Sequence, residues 1–108
     1  MDDDERRRFT GTVELIGKRW SAGILVAIAN DAHRFGEIVN AVSGLSDRLL
    51  AQRLRELEVA KLVAREVIPS TPVQVRYHLT ESGADLVRAM EPLLEWGQRW
   101  RPSAPEKG

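Results

Sequence analysis

The sequence predicts an α+β fold that is mostly α-helical, with one two-stranded hairpin placed between helices. Apolar residues recur every three or four positions as far as Ala60, which is the period of amphipathic helices. After Lys61 the period shortens to two, which is typical of strands, and after Thr80 the helical period returns. The chain has 108 residues, so we predict that residues 1–108 form a single domain with a modest core.

Three helices are expected before the turn at Gly44. Residues 1–8 are densely charged, and we expect them to be flexible, as an arm or a loose helix start. An amphipathic helix then follows from Phe9 to Ile16, with Gly17 as a candidate C-cap. Residues 20–30 are apolar on nearly every face, which predicts a buried central helix. A short third helix is expected over residues 35–42.

The fourth predicted helix, over residues 46–58, has two contrasting faces. Gly44 supplies a sharp turn before it, and Ser46 is a natural N-cap. Leucines at helical spacing form one face, whereas the other face presents polar side chains at i, i+4 and i+7: Arg48, Gln52 and Arg55. Arg and Gln are side chains that can bind base edges in a DNA major groove. A helix, a short glycine turn and a second helix constitute a helix-turn-helix.

The hairpin and the last helix complete the predicted order of elements. Residues 62–68 and 73–79 are predicted strands, joined by a turn rich in Pro and Ser. A hairpin directly after a helix-turn-helix is a wing, so the fold class is a winged helix-turn-helix. Thr80 is expected to cap a final helix, and Pro92 predicts a bend or break near Met90. Residues 102–108 are expected to be flexible by composition.

Candidate DNA-binding residues lie on the fourth helix, on the wing and at the start of the third helix. Base contacts are assigned to Arg48, Gln52 and Arg55. Contacts to the phosphate backbone, which position rather than specify, are assigned to Arg53, the wing and Arg34. The alternative for each is an ordinary solvated surface, and for Arg53 a structural ion pair is equally expected. The set is Ser46, Asp47, Arg48, Gln52, Arg53 and Arg55 on the helix, with Arg34, Arg65, Thr71, Gln74 and Arg76 around it.

Several other classes of function find no support in the sequence. The chain contains no cysteine, which excludes thiolate metal sites, thiol nucleophiles and thiol-based sensing. His33 and His78 are far apart in sequence and without ligand-spaced acids, so neither a metal nor another cofactor is expected. No catalytic motif occurs, which argues against an enzyme. No apolar run is long enough to span a membrane, and without a secretory signal a cytoplasmic location is expected. The net charge of zero neither favours nor excludes nucleic acid.

Several segments, in order, resemble one family of bacterial regulators. Leu15–Trp20 is similar to its opening L-I-G-G-K-W motif and Arg34–Ile38 to R-F-G-E-L, and Gly44–Glu58 is similar to its helix with L-R-E-L-E. The wing is followed by Glu95–Gly97, which matches its closing E-W-G. The match spans about residues 12 to 100, so the chain resembles the HxlR-type winged helix-turn-helix regulators, distant relatives of the MarR group. The resemblance implies a homodimer, joined through its terminal helices, on palindromic double-stranded DNA.

The resemblance also suggests where subunits or an effector would bind. It favours the dimer interface, or a pocket between subunits for a small aromatic effector, for five apolar residues: Trp20, Met90, Leu93, Trp96 and Trp100. Many members carry a sensing Cys-Pro pair, which here would fall near Arg7 and Arg8, so this chain departs from that pattern. Two alternatives to a simple regulator remain. One is a winged-helix protein-interaction module, and the other is a regulator gated by the aromatic ligand.

Overall fold

The computed structural model describes residues 1–102, which form five helices and one two-stranded antiparallel sheet. This is the mostly helical winged arrangement that the sequence predicts. Residues 103–108, and with them most of the segment expected to be flexible, lie outside the described part. The elements, in order, are α1 Asp3–Gly17, α2 Ser21–Ala29, α3 Phe35–Ala41, α4 Asp47–Val59, β1 Val63–Ile68, β2 Gln74–Leu79 and α5 Glu81–Trp100.

The central helix of the core is α2, as its apolar composition predicts. Ile24, Leu25 and Ile28 are almost completely buried, and α1, α3, α4, α5 and the sheet all pack against this helix. The remaining core side chains come from the inward faces of the other elements, chiefly Ile38, Leu45, Leu50, Leu54, Leu57, Leu62, Val63, Tyr77 and Met90. Within residues 1–102 no helix combines the length and the hydropathy that crossing a membrane would require.

The first helix starts earlier than the sequence analysis expects. Residues 3–8, expected to be flexible, form the first turns of α1. A reciprocal cap explains this start: the Asp2 carboxylate accepts from the Glu5 backbone N–H at 2.8 Å, and the Glu5 carboxylate accepts from the Asp2 N–H at 3.0 Å. Gly17 does not act as a left-handed C-cap. Between α1 and α2, the residue with a left-handed backbone conformation is Trp20, which has a φ of 80° and immediately precedes α2.

The turn between α3 and α4 has the predicted chemistry. Gly44 adopts a φ of 86°, where a side chain would be strained. Leu45 is buried in the core, and the Ser46 hydroxyl accepts from the Leu49 backbone N–H at 3.1 Å, which caps α4. Leu50, Leu54 and Leu57 then bury one face of α4, as their spacing predicts.

The wing is anchored at its base on both sides. Val63 of β1 pairs with Leu79 of β2, and the Thr80 hydroxyl donates to the Lys61 carbonyl at 2.6 Å while accepting from the Gly83 N–H at 3.0 Å. Thr80 thus caps α5, as predicted. The break that Pro92 predicts near Met90 does not occur, because α5 continues from Glu81 to Trp100, and the bend stays a prediction.

Candidate nucleic-acid interface

The exposed face of α4 presents the three side chains that its sequence pattern places together. Arg48, Gln52 and Arg55 are all exposed. Within residues 1–102 neither Arg48 nor Arg55 makes an ion pair or a side-chain hydrogen bond, and Gln52 makes only a long one, to Glu56 at 3.5 Å. The donor groups of this face are therefore available to an external acceptor. Ser46 and Asp47 are exposed at the N-terminus of the same helix.

Arg53 differs from its neighbours because its guanidinium is used inside the protein. Its side chain is only 12% exposed. Nε donates to the Arg19 carbonyl at 3.0 Å, and Nη1 contacts the Glu56 carboxylate at 3.1 Å. Of the two roles that the sequence leaves open for Arg53, the structure therefore favours the structural ion pair over the contact to phosphate.

Glu56 joins α4 to the segment between α1 and α2. Its second carboxylate oxygen lies 3.1 Å from Lys18 Nζ. The hydrogen bond from Lys18, supported by the charges of Lys18 and Arg53, holds the pKa of Glu56 below its ordinary value. The buried leucines fix the inner face of α4, and this ion pair network fixes its flank.

Arg34 lies at the start of α3, beside the wing. Its side chain is exposed, and Nη2 is 3.4 Å from the Gln74 amide oxygen at the start of β2. Glu37 accepts from the backbone N–H groups of Arg34 and His33, both at 3.0 Å. The hydrogen bond from the Arg34 N–H is the main cause that lowers the pKa of Glu37, and the one from the His33 N–H is the next. A negative charge is thereby fixed in the first turn of α3, where it suits the helix dipole.

The two arginines of the wing lie on opposite faces of the hairpin. Arg65 is paired with Tyr77 and Arg76 with Glu66, and neighbouring pairs in a ladder alternate between faces. Arg65 and Thr71 are exposed, whereas Arg76 is half-buried. Arg76 Nε is buried without a hydrogen-bond partner within residues 1–102. The wing therefore cannot present both arginines to one flat surface.

Within residues 1–102, the five residues predicted for a dimer interface or aromatic pocket do not line one cavity. Met90 is buried in the core. Trp20 lines an open depression of about 620 Å³ between α2 and α3, and its ring lies 4.7 Å from the Arg19 guanidinium. Leu93 lines a separate depression near the end of α5, and Trp96 and Trp100 are 53% and 67% exposed.

The terminal helices carry most of the exposed apolar surface. No residue of α1 is buried, and Phe9 and Val13 are exposed on it. The last turns of α5 expose Leu93, Leu94, Trp96 and Trp100. Apolar surface of this kind, concentrated on two elements, is typical of an interaction site.

His33 and His78 lie together, which their separation in sequence did not indicate. Their ring centroids are 4.9 Å apart. Within residues 1–102 no group of three or more His, Asp or Glu side chains is arranged to hold a metal. Glu56 and Lys18 also have roles that the sequence analysis missed. The i, i+3 spacing of Arg53 and Glu56 could have indicated their pairing, whereas nothing local indicates the contact with Lys18.

Comparisons with known proteins agree with this arrangement. The model of the HxlR-like helix-turn-helix family matches residues 15–105. The HTH-type transcriptional regulator YvaP of Bacillus subtilis is 41% identical over 93 residues, which cover 86% of each chain. The transcriptional regulator YodB of the same organism, solved in its reduced form, superposes with a TM-score of 0.76 at 33% identity, covering 97% of this chain and 99% of that one.

A MarR-family transcriptional regulator from Enterococcus faecalis V583 superposes with a TM-score of 0.81 at 30% identity, covering 93% of this chain and 89% of that one. The family model covers most of the chain, and both solved structures share the helix-turn-helix and the wing. The chain is therefore a member of the HxlR-like helix-turn-helix family, a family of DNA-binding transcriptional regulators.

Proposed function

We propose that this protein acts as a homodimer that binds a palindromic operator, with α4 of each subunit in the major groove. The observation that carries the proposal is the exposed face of Arg48, Gln52 and Arg55, whose donors have no strong partner within the described chain. Arginine pairs with guanine edges and glutamine with adenine edges, each good contact contributing about 1–3 kcal/mol of discrimination. Arg34 and the wing are assigned to the phosphate backbone, together with the N-terminal end of α4 at Ser46 and Asp47.

The proposal of a homodimer rests on the terminal helices. A second copy would cover the apolar side chains that α1 and α5 leave in solvent, including Phe9, Trp96 and Trp100. A twofold axis between the subunits would place the two copies of α4 in successive major grooves, about 34 Å apart. This spacing requires an operator with two related half-sites. Met90 and Trp20 are not assigned to that interface, since Met90 is buried and Trp20 lines the depression between α2 and α3.

The test is operator binding by two single variants. Arg48→Ala and Gln52→Ala should each weaken binding to the operator by roughly tenfold while folding and assembly are retained. Affinity should be measured by gel shift or anisotropy at several salt concentrations, because contacts to phosphate make binding fall steeply with salt. Arg88→Ala is the matched control, since it removes an exposed arginine from α5, where it pairs with Asp85. If both α4 variants bind as tightly as the unmodified protein, the assignment of α4 is wrong.

The absence of cysteine supports a regulator that does not sense through thiols. An effector, if one acts, would bind non-covalently. The aromatic pocket first considered for Trp20, Trp96 and Trp100 finds no support within a single subunit, because these side chains line different surfaces.

A further inference from the structure

The wing is joined to the helix-turn-helix through the segment that precedes α3. The backbone N–H of Tyr77 donates to the His33 carbonyl at 2.8 Å. The His33 ring contacts the same residue, with Nδ1 2.9 Å from the Tyr77 carbonyl oxygen. A carbonyl oxygen only accepts, so His33 Nδ1 carries the proton and donates it. His33 therefore continues the sheet on the free edge of β2, through one backbone and one side-chain bond.

A second histidine extends this connection to the other strand. The His78 ring packs against the His33 ring, with centroids 4.9 Å apart. His78 Nε2 lies 2.9 Å from a carboxylate oxygen of Glu66 on β1. Since a carboxylate accepts, His78 Nε2 is the donor. His33, Tyr77, His78 and Glu66 thus form a continuous series of contacts from the loop before α3 across both strands, which we name the histidine clasp.

The helical end of the clasp is itself fixed. The Glu37 carboxylate accepts from the N–H groups of both His33 and Arg34, which ties the loop to the first turn of α3. Arg34 also reaches the Gln74 amide oxygen at 3.4 Å, nearer the tip of the hairpin. The segment that begins α3 is therefore linked by hydrogen bonds to β2 at two places, through His33 to Tyr77 and through Arg34 to Gln74.

The hairpin gains from such a connection because few of its side chains are fully buried. Val63 and Tyr77 are buried, Val75 packs partly buried against the core, and Val67 and Val73 are exposed. A two-stranded hairpin is only marginally stable by itself in water. Without the clasp, the backbone pairs of β1 and β2 would keep the hairpin intact, but its angle to α4 would depend on the packing of Val63, Val75 and Tyr77 alone.

We propose that His33 and His78 are positioning residues that set the orientation of the wing relative to α4, so that the wing and α4 contact DNA in one fixed register. This inference rests on the proposed function, because it concerns contacts made by the wing outside the grooves occupied by α4. Neither histidine is required to touch DNA. Fixing the wing in advance improves binding because less orientational freedom is lost when the complex forms.

The experiment compares alanine variants with variants that keep one nitrogen donor. The amide of asparagine at position 33 can replace Nδ1, and the amide of glutamine at position 78 can replace Nε2. His33→Ala and His78→Ala should lose hydroxyl-radical protection of the backbone flanking the α4 grooves. They should weaken binding to a long operator duplex by roughly fivefold. His33→Asn and His78→Gln should restore both the protection of the flanking backbone and the affinity for the long duplex. On a short duplex without the flanks, all four variants should bind as tightly as the unmodified protein.

The controls separate a failure of this inference from a failure of the proposed function. If the unmodified protein protects no flanking backbone, the wing contacts assigned under the proposed function are wrong. If it protects the flanks and both alanine variants do so equally, the positioning role is overturned. A loss of binding by the alanine variants on the short duplex as well would indicate general damage to the fold and would also overturn it. His78→Ala keeps the test usable if His33→Ala does not fold, because His78 is 42% exposed and, within residues 1–102, its side chain hydrogen-bonds only to Glu66.

Discussion

Arg53 and Arg55 have the same side chain, lie two positions apart and have different surroundings. Arg53 is bonded to the Arg19 carbonyl and to Glu56, whereas Arg55 is exposed and has no partner within residues 1–102. The first holds α4 against the loop after α1, and the second is available for an external acceptor. Position on a helix therefore determines whether an arginine stabilises the protein or contacts a ligand, even where the sequence alone leaves both roles open.

Glu56 gives this network a dependence on pH. Its pKa lies below the ordinary value of 4.5, chiefly because of the hydrogen bond from Lys18. A carboxyl whose folded pKa is depressed stabilises the folded state above its unfolded pKa, and this stabilisation is lost as the pH falls through the folded pKa. Glu56→Gln should therefore lower the free energy of unfolding at pH 7 by about 1 kcal/mol, and the difference should shrink below pH 4.5.

Urea unfolding followed by circular dichroism from pH 7 down to pH 3 would measure this difference. Glu58→Gln is the matched control, since Glu58 lies on the same helix and its side chain has no bond within the described residues. Equal loss of stability in the two variants at pH 7 would contradict the role of the Lys18 contact.

At the scale of the elements, the features that could be predicted are those set by neighbours in sequence. Ser46, Thr80 and Gly44 act within three or four residues, so their roles at helix ends and in the turn follow from the sequence. The cap formed by Asp2 and Glu5 is equally local. The dense charge of this segment favours flexibility, and for that reason the cap is not among the predicted features. The periodic leucines of α4 likewise predict its buried face.

The connections between elements could not be predicted in this way. His33 and Tyr77 are 44 residues apart, and Arg53 and Arg19 are 34 apart. No local pattern brings such pairs together, because their proximity depends on how the wing and the helices pack. For the same reason, the shared apolar character of Trp20, Met90 and Trp96 does not predict that Met90 is buried in the core while Trp20 and Trp96 lie on two different surfaces.

The packing of α5 against the wing depends on Gly83. A Cβ at this position would lie 2.0 Å from the Leu62 carbonyl oxygen, which is backbone and cannot rotate away. Gly83→Ala should therefore lower the free energy of unfolding by about 3 kcal/mol, since the helix must move away from the base of the wing. Thermal or urea unfolding would measure this change in the free energy of unfolding. A loss below about 0.5 kcal/mol would show that α5 and the base of the wing separate easily.

Gly36→Ala is the control for that variant. Within residues 1–102, a Cβ at Gly36 would have no atom within 4 Å apart from its chain neighbours and the backbone of its own helix, and this glycine is helical and exposed. Alanine there should leave stability unchanged or raise it by up to about 1 kcal/mol, because it restricts the unfolded chain.

For the whole molecule, the distribution of apolar surface predicts its assembly. Trp96→Glu places a charge among Leu93, Leu94 and Trp100 on the exposed end of α5, and a buried unpaired charge is costly. The variant should sediment as a monomer at concentrations where the unmodified protein is expected to sediment as the proposed dimer, and operator binding should fall with it. Val59→Glu is the control for sedimentation alone, because Val59 is 83% exposed but lies outside the terminal helices, at the end of α4. A dimer that persists in Trp96→Glu would remove α5 from the interface.

The composition of the whole chain predicts how it responds to oxidants. The related YodB has been solved both in a reduced form and after diamide treatment, whereas none of the 108 residues here is a cysteine. Diamide oxidises thiols, so operator affinity should be the same before and after treatment. Arg7→Cys provides a control for the reagent, since its single exposed thiol should be consumed, as measured by intact mass. If diamide released the unmodified protein from its operator, the regulator would have to respond through a group other than a thiol.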